Sequence, residues 1–129
     1  MANWIDLYRS KLTTPEQAVS VVESGDWIDY GWCVNTPRVL DAALAKRYEE
    51  LEDVKVRGGI LFEKPAVMQV PDPARHFIWN SWHMSGVERK MIADGTTFFG
   101  PMRYSELPRF YRENVDPIKA AFFQVSPMD

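Results

Sequence analysis

The residues best suited to chemistry lie in one segment, residues 76–88, which reads HFIWNSWHMSGVE. Its apolar opening is typical of a buried strand, and it turns polar at Asn80 and Ser81. Ser85 and Glu88 have the spacing of a capping box, which predicts the start of a helix. We therefore predict a strand, a polar crossing and a helix. In an open α/β sheet such a crossing lies at the carboxyl end of the strand, where ligands bind.

A plain connection between a strand and a helix is the alternative for this segment. In that interpretation Trp82 and Met84 cover the core, while Asn80 and Ser81 satisfy backbone groups. The recurrence of the pattern favours a site, because polar or conformationally permissive residues follow every predicted strand, at residues 33–36, 58–59, 80–83, 101–103 and 126–127. Three of these segments lead into predicted helix N-termini, which attract an anion such as a small carboxylate.

Cys33 is a second candidate, because it precedes a predicted helix N-terminus that would stabilise a thiolate. His76 or His83 could then supply the base. The alternative is a buried structural cysteine, since free cysteines are among the most buried residues. One cysteine and two histidines seven residues apart do not form a metal-ligand pattern, so we expect no metal site. Gly58 and Gly59 match neither common phosphate-binding glycine motif.

Composition excludes several functional classes. The chain has 129 residues, which is the length of one domain. Its net charge is -3 and it contains no basic run, so we expect no nucleic-acid surface. A single cysteine excludes an internal disulfide and is typical of a reducing compartment. No apolar segment has the length of a membrane span or of a signal peptide, so we expect a cytoplasmic protein without a membrane partner. Aromatic residues make up 13%, which favours a surface covered by another domain or subunit.

These residues must be positioned by alternating strands and helices. Apolar patterns predict strands at 27–32, 54–57, 60–62, 76–79, 96–99 and 120–125, and capping signals predict helices at 3–11, 15–24, 37–51, 86–94 and 106–114, with a helical turn at 66–68. The order predicts a three-layer α/β fold: a mainly parallel sheet of about five strands with helices on both faces. A buried last strand needs covering helices, so we expect residues 1–129 to be a domain that is incomplete at its C-terminal end.

The segments around the predicted strand ends carry a resemblance to a known family. The chain resembles the amino-terminal part of the acetyl-CoA hydrolase/transferase family of CoA-transferases, and most closely its butyryl-CoA:acetate CoA-transferases. The resemblance covers nearly the whole chain and rests on YRSKL (8–12), GDWIDYGWC (25–33), VKVRGGIL (54–61), WNSWHMSGVERKMI (79–92), RYSELPRFYRE (103–113) and FQVSPMD (123–129).

The resemblance implies a fold, a reaction and a site. It implies part of the first of two similar α/β domains, in a protein that moves CoA between a short-chain acyl-CoA and acetate through a glutamyl-CoA thioester. The nucleophilic glutamate is expected beyond residue 129, so no catalytic residue is assigned here, and CoA is a substrate with no other cofactor. The wall of the substrate pocket is expected to include Asn35, Thr36, Gly59, Asn80, Ser81, His83 and Arg103.

The expected partners follow from the same resemblance: acyl-CoA, a short carboxylate, and either the remainder of the same chain or a second subunit. A homo-oligomer is expected. The residues alone also leave two other functions open. One is a stand-alone α/β module that binds a small anion or a partner without catalysis. The other is a thiol hydrolase that uses Cys33 as its nucleophile. The 129 residues by themselves are expected to be inactive as a transferase.

Overall fold

The computed structural model describes residues 3–127 and contains one five-stranded sheet in the order β4-β3-β2-β1-β5. Every neighbouring pair of strands is parallel, which confirms the predicted sheet. The strands are β1 (Trp27–Tyr30), β2 (Val54–Gly59), β3 (Phe77–His83), β4 (Thr97–Phe99) and β5 (Ala120–Phe122). The carboxyl ends of all five strands therefore lie along one edge of the sheet.

The helices are short, and several begin at the predicted caps. They are α1 (Trp4–Lys11), α2 (Pro15–Val19), α3 (Arg38–Ala45), α4 (Pro73–His76), α5 (Gly86–Ala93) and α6 (Leu107–Arg112), with 3-10 turns at Cys33–Asn35, Tyr48–Glu50, Ala66–Met68 and Tyr104–Glu106. Thr14 and Ser85 both form the capping boxes that the sequence predicts. Within residues 3–127, no helix has the length and apolar character needed to cross a membrane.

One face of the sheet forms the hydrophobic core. We call it the core face; its central side chains are Ile28, Tyr30, Val54, Val56, Phe77 and Trp79, all buried. Residues from α2, α3, α5 and the Ala66–Met68 turn pack against it. Gly58 is required on this face, because a Cβ there would lie 2.7 Å from the Trp79 ring.

The alternate residues of the same strands form the opposite face, which we call the aromatic face. Its central side chains are Trp27, Asp29, Arg57, Asn80 and Trp82. Helix α6 covers part of it: Phe110 packs on Trp82, with ring centroids 5.1 Å apart, and Tyr111 donates a hydrogen bond to Asp29. Helices thus lie on both faces as predicted, but α6 covers only part of the aromatic face.

The predicted polar crossing at residues 80–83 is wrong, because β3 continues to His83. Pairing with β2 extends that far, as His83 lies opposite Gly59 and its carbonyl accepts a hydrogen bond from Ile60 N at 2.8 Å. The two glycines therefore lengthen β2 instead of ending it. The separate strand predicted at 60–62 is absent, because Ile60 has a φ of 53° and turns the chain away from the sheet.

The helices predicted at 37–51 and 106–114 begin later and end sooner than expected, and the helix predicted at 15–24 ends at Val19. The Thr36 hydroxyl donates to the Cys33 carbonyl at 2.9 Å and does not cap α3, whose N-cap is Pro37. That helix ends at Ala45 and does not reach Leu51. Ser105 lies inside a 3-10 turn and is not the N-cap of α6, which begins at Leu107. Strands β1 and β5 are likewise shorter than predicted.

Candidate functional site

The carboxyl edge of the sheet is held together by backbone contacts at the ends of β1 and β5. The Asn35 carbonyl accepts a hydrogen bond from Gln124 N at 2.8 Å, which ties the turn after β1 to the segment after β5. Gly31 is required at this point, since a Cβ would lie 2.4 Å from the Asn35 carbonyl oxygen. The turn after β1 therefore lies close against the β5 side of the sheet.

Glu88 fixes the other half of this edge. Its buried carboxylate accepts hydrogen bonds from the Ser81 hydroxyl at 2.8 Å, Ser85 N at 2.6 Å and Leu61 N at 3.2 Å. One side chain thus joins the end of β3, the start of α5 and the loop after β2. The capping residue that the sequence predicts is also the residue that positions two strand exits.

The structure separates the predicted pocket residues into two groups. Gly59, Asn80 and Ser81 are buried within strands, whereas Asn35, His83 and Arg103 are exposed and Thr36 is half-buried. Asn80 and Ser81 lie on opposite faces of the sheet, and Ser81 already donates to Glu88. Gly59 and His83 do meet, since a Cβ at Gly59 would lie 3.1 Å from the His83 carbonyl oxygen. Contact between these residues and substrate stays a prediction.

Cys33 lies in the turn after β1, is half-buried and lines a cleft with Thr36, Leu61 and Phe62. The cleft has a volume of about 10 Å³, which is roughly the space of one water molecule. His76 is engaged elsewhere, because its Nδ1 lies 2.8 Å from the Leu51 carbonyl and donates to it. Nucleophilic chemistry at Cys33 stays a hypothesis without a contact to support it.

A cluster that sequence reasoning missed lies on the aromatic face around Arg57. Its Nε donates to Asp29 at 2.7 Å, and only 2% of its side chain is exposed. The guanidinium carbon lies 4.6 Å from the centroid of the Trp82 ring and 5.1 Å from that of Phe110. At such distances the rings stabilise the cation electrostatically. Arg57 therefore joins three strands and helix α6 around one buried charge.

The sequence does contain a signal for this cluster. In β2 the order Val54-Lys55-Val56-Arg57 alternates apolar and charged residues, so Lys55 and Arg57 lie on the same face. The parallel register then places Asp29 of β1 and Asn80 of β3 directly beside Arg57. A strand buried on both faces would read as a continuous apolar run, so the alternation itself indicates a polar second face.

Two open spaces adjoin this cluster. The first, which we call the Arg57 cavity, has a volume of about 170 Å³ and is lined by Trp27, Arg57, Asn80, Trp82, Gly100, Pro101, Met102, Phe110 and Asp116. The aromatic cleft has a volume of about 290 Å³ and is lined by Trp32, Trp82, Tyr104, Leu107 and Tyr111. Trp82 is a wall of both. Burial, together with the hydrogen bond to Asp29, raises the pKa of the Tyr111 phenol, so Tyr111 remains a neutral donor at ordinary pH.

Comparison with known proteins gives a consistent result. Residues 3–129 match the family described as the acetyl-CoA hydrolase/transferase N-terminal domain. The chain is 53% identical over 122 residues to a butyryl-CoA:acetate CoA-transferase of Anaerostipes caccae, covering 95% of this chain and 27% of that protein. It is 42% identical over 125 residues to a probable butyrate:acetyl-CoA coenzyme A-transferase of Syntrophomonas wolfei, covering 97% of this chain and 28% of that protein.

Solved structures show the same fold. RipA from Yersinia pestis superposes with a TM-score of 0.79 at 28% identity, covering 99% of this chain and 32% of RipA. A 4-hydroxybutyrate CoA-transferase from Porphyromonas gingivalis superposes with a TM-score of 0.56 at 17% identity, which supports the fold alone. The chain thus spans about a quarter to a third of the length of the proteins that it resembles.

Proposed function

The chain belongs to the acetyl-CoA hydrolase/transferase family, and from this membership we propose that it is the amino-terminal part of a CoA-transferase. The proposed reaction moves CoA between butyryl-CoA, or a similar short-chain acyl-CoA, and acetate. The observation that carries the proposal is the 53% identity to the Anaerostipes caccae butyryl-CoA:acetate CoA-transferase over 95% of this chain. The fold agrees, because a parallel sheet presents its strand ends at one edge as a surface for ligands.

The proposed chemistry divides between this chain and the remaining sequence of such a transferase. A glutamate outside these 129 residues would attack the acyl-CoA thioester, giving an acyl-glutamyl anhydride and CoA thiolate. The thiolate would then attack the glutamyl carbonyl, which forms a glutamyl-CoA thioester and releases the acyl group as its carboxylate. Acetate would take over the CoA by the reverse of these two steps, which regenerates the glutamate. This chain would bind and orient the acyl-CoA and the carboxylate, and by itself would not complete the transfer. No residue of this chain is given a covalent role, and CoA enters as a substrate.

The aromatic cleft is the proposed site of the acyl chain. Its walls include the rings of Trp32, Trp82 and Tyr111, and its volume of about 290 Å³ accommodates a short alkyl group. Three exposed residues of the predicted pocket wall are close neighbours of cleft residues in the chain: Asn35 follows Trp32 by three positions, His83 follows Trp82, and Arg103 precedes Tyr104. We place these three at the rim of the cleft, where they would contact the polar end of the substrate.

A chimaera provides the test of this proposal. This chain replaces the corresponding amino-terminal part of the Anaerostipes caccae enzyme, and CoA transfer to acetate is assayed with acetyl, butyryl and hexanoyl thioesters. We expect transfer from butyryl-CoA. We also expect Trp82→Ala to shift preference towards the longer chain, because a methylene of mismatch in an apolar pocket is worth about 1–3 kcal/mol.

The matched control is Trp4→Ala, which removes an exposed tryptophan of α1 and should leave chain-length preference unchanged. A chimaera that folds and binds CoA but transfers nothing would contradict the proposed reaction and favour a binding module without catalysis. Trp82→Ala with lost thermal stability and unchanged preference would show that Trp82 is a packing residue. Cys33→Ala with unchanged turnover would remove the thiol hydrolase alternative.

We also propose a cytoplasmic location and a homo-oligomer. A single cysteine suits a reducing compartment, and large aromatic side chains such as Trp4, Tyr104 and Phe123 are exposed. Exposed apolar surface of this kind is typical of a surface that another polypeptide covers. Light scattering of the chain across a range of concentrations tests the association, and a monomer at every concentration would contradict it.

A further inference from the structure

The guanidinium of Arg57 is enclosed by aromatic rings. Its central carbon lies between 4.6 and 5.6 Å from the ring centroids of four residues, Trp27, Trp82, Phe110 and Tyr111. Within residues 3–127, its Nη1 and Nη2 are buried and have no hydrogen-bond partner. A ligand in the Arg57 cavity therefore does not reach these donors, and the charge acts on the rings that surround it.

Asp29 joins this cluster to helix α6. One of its carboxylate oxygens accepts a hydrogen bond from Arg57 Nε at 2.7 Å, and the other accepts one from the Tyr111 hydroxyl. Tyr111 is thus attached to the sheet at two points, through its hydroxyl at Asp29 and through its ring beside Arg57. Hydrogen bonds to a charged group are strong and directional, so together these contacts fix where the Tyr111 ring lies.

Helix α6 depends on the same contacts for its position. It has six residues, Leu107–Arg112, and none of them is buried. A helix of this length is not stable by itself, so its place is determined by what its side chains contact. Phe110 packs on Trp82 with ring centroids 5.1 Å apart, and Tyr111 reaches Asp29. Both side chains lie beside the Arg57 guanidinium.

The aromatic cleft takes two of its walls from the rings around Arg57. Trp82 of β3 and Tyr111 of α6 both line the cleft, and their ring centroids lie 5.9 Å apart. Among the described residues, Arg57 does not line this cleft and lies behind the two walls. A shift of either ring would change the width of the cleft, which has a volume of about 290 Å³.

We propose that Arg57 is a positioning residue for the aromatic cleft. With Asp29 it sets the separation of Trp82 and Tyr111, and it thereby selects the length of the acyl chain without touching the substrate. This role rests on the proposed function, which places the acyl chain in the cleft. Arginine suits the role because its planar cation lies over several rings while Nε donates to Asp29, an arrangement that a lysine ammonium does not reproduce.

The test uses the chimaera of this chain with the Anaerostipes caccae enzyme, assayed with butyryl and hexanoyl thioesters. Arg57→Lys keeps the charge and removes the planar fork, and Tyr111→Phe keeps the ring and removes the hydrogen bond to Asp29. We expect the ratio of kcat/KM for hexanoyl-CoA to that for butyryl-CoA to rise roughly fivefold or more in Arg57→Lys, and less in Tyr111→Phe. The matched controls Arg75→Lys and Tyr48→Phe change groups that are bonded to exposed glutamates, and they should leave the ratio unchanged.

A general loss of stability does not produce this result. Both thioesters are assayed on one preparation, so the folded fraction cancels in the ratio. A second measurement needs no transfer: nuclear Overhauser effects between aromatic rings in the 129-residue chain. We expect those between Trp82 and Tyr111 to weaken in Arg57→Lys. Those between Tyr30 and Trp79, whose ring centroids lie 5.8 Å apart on the core face, should stay the same.

The outcomes separate this role from the proposed function. A raised ratio in Arg57→Lys, together with weaker Trp82–Tyr111 Overhauser effects, supports the positioning role. An unchanged ratio in an active chimaera, an equal rise in Arg75→Lys, or unchanged Overhauser effects would each overturn it. A chimaera that transfers nothing contradicts the proposed function, and the Overhauser effects then still decide whether Arg57 positions the two rings.

Discussion

The two faces of the sheet bury side chains of opposite chemical character. On the core face, hydrocarbon and aromatic side chains such as Val56 and Trp79 pack against helices and carry few polar groups. On the aromatic face, the same three central strands bury an ion pair between Arg57 and Asp29 among aromatic rings. Adjacent residues of one strand, Val56 and Arg57, therefore lie in environments of opposite chemistry.

The buried groups of the two faces contribute differently to the stability of the fold. Burial of hydrocarbon stabilises the fold at about 25 cal/mol per Å², whereas a buried ion pair contributes little because desolvation offsets its attraction. Apolar residues in place of both Arg57 and Asp29 would stabilise the fold at least as well. Stability alone therefore does not explain a buried cation at this position whose Nη atoms have no hydrogen-bond partner in the described part of the chain.

The largest effect that tests this comparison is expected from Arg57→Met. Removal of the guanidinium leaves the Asp29 carboxylate with most of its surface buried and without its cation. Breaking such a pair from one side typically costs about 3–5 kcal/mol of unfolding free energy. Urea denaturation at constant pH measures it. The double variant Arg57→Met, Asp29→Asn should recover most of the loss, because it removes both charges together.

The control for this prediction is Arg75→Met, which breaks the exposed ion pair with Glu52 and should change stability little. If the double variant remains as unstable as Arg57→Met, the ion pair itself stabilises the aromatic face. The contrast between the two faces would then be one of chemistry only and would not indicate a site.

A smaller effect is expected from Glu88→Gln, which tests the main polar exception on the core face. The amide offers one acceptor oxygen, whereas the two carboxylate oxygens accept hydrogen bonds from the Ser81 hydroxyl, Ser85 N and Leu61 N. At least one buried donor should lose its partner, at about 1–3 kcal/mol in thermal or urea unfolding. Glu106→Gln is the matched control, because Glu106 caps an exposed turn through Arg103 N. Equal effects in the two variants would contradict a special role for Glu88.

The sequence predicts the core face well and the aromatic face poorly. Apolar runs and capping boxes are local signals, so the parallel sheet and the start of α5 follow from residues near one another. The end of β3 could not be predicted in this way. Asn80 and Ser81 appear to begin a loop, but pairing with β2 keeps them in the strand and sends them to opposite faces.

The Arg57 cluster depends on register, which a single chain does not reveal. Asp29 precedes Arg57 by 28 residues and Tyr111 follows it by 54, and only the order of the strands and the return of α6 bring them together. The alternation in β2 indicates a polar face, whereas the partners of Arg57 come from tertiary structure. The exposed pocket residues Asn35, His83 and Arg103 stay predictions for the same reason, since their proposed common rim depends on a ligand.

The smallest expected effect is a pH dependence carried by Asp41, whose carboxylate packs beside Tyr30 of the core face. Burial raises the pKa of Asp41 above its ordinary value of 3.8, although hydrogen bonds from Ala66 N and Val67 N oppose the rise. The core face thus favours the protonated, neutral carboxyl, whereas the aromatic face neutralises its charge with a partner. Asp41→Asn keeps one acceptor oxygen and removes the titration.

The sign follows from proton binding. Between the ordinary pKa and the raised pKa of Asp41, the folded state holds a proton that the unfolded state has released. The unfolding free energy contributed by Asp41 is therefore greatest below the ordinary pKa, falls as pH rises through this window, and is constant above it. Urea denaturation across the acidic range should show the unchanged chain losing stability relative to Asp41→Asn as pH rises. A difference that is independent of pH, or that grows with pH, would contradict a raised pKa for Asp41.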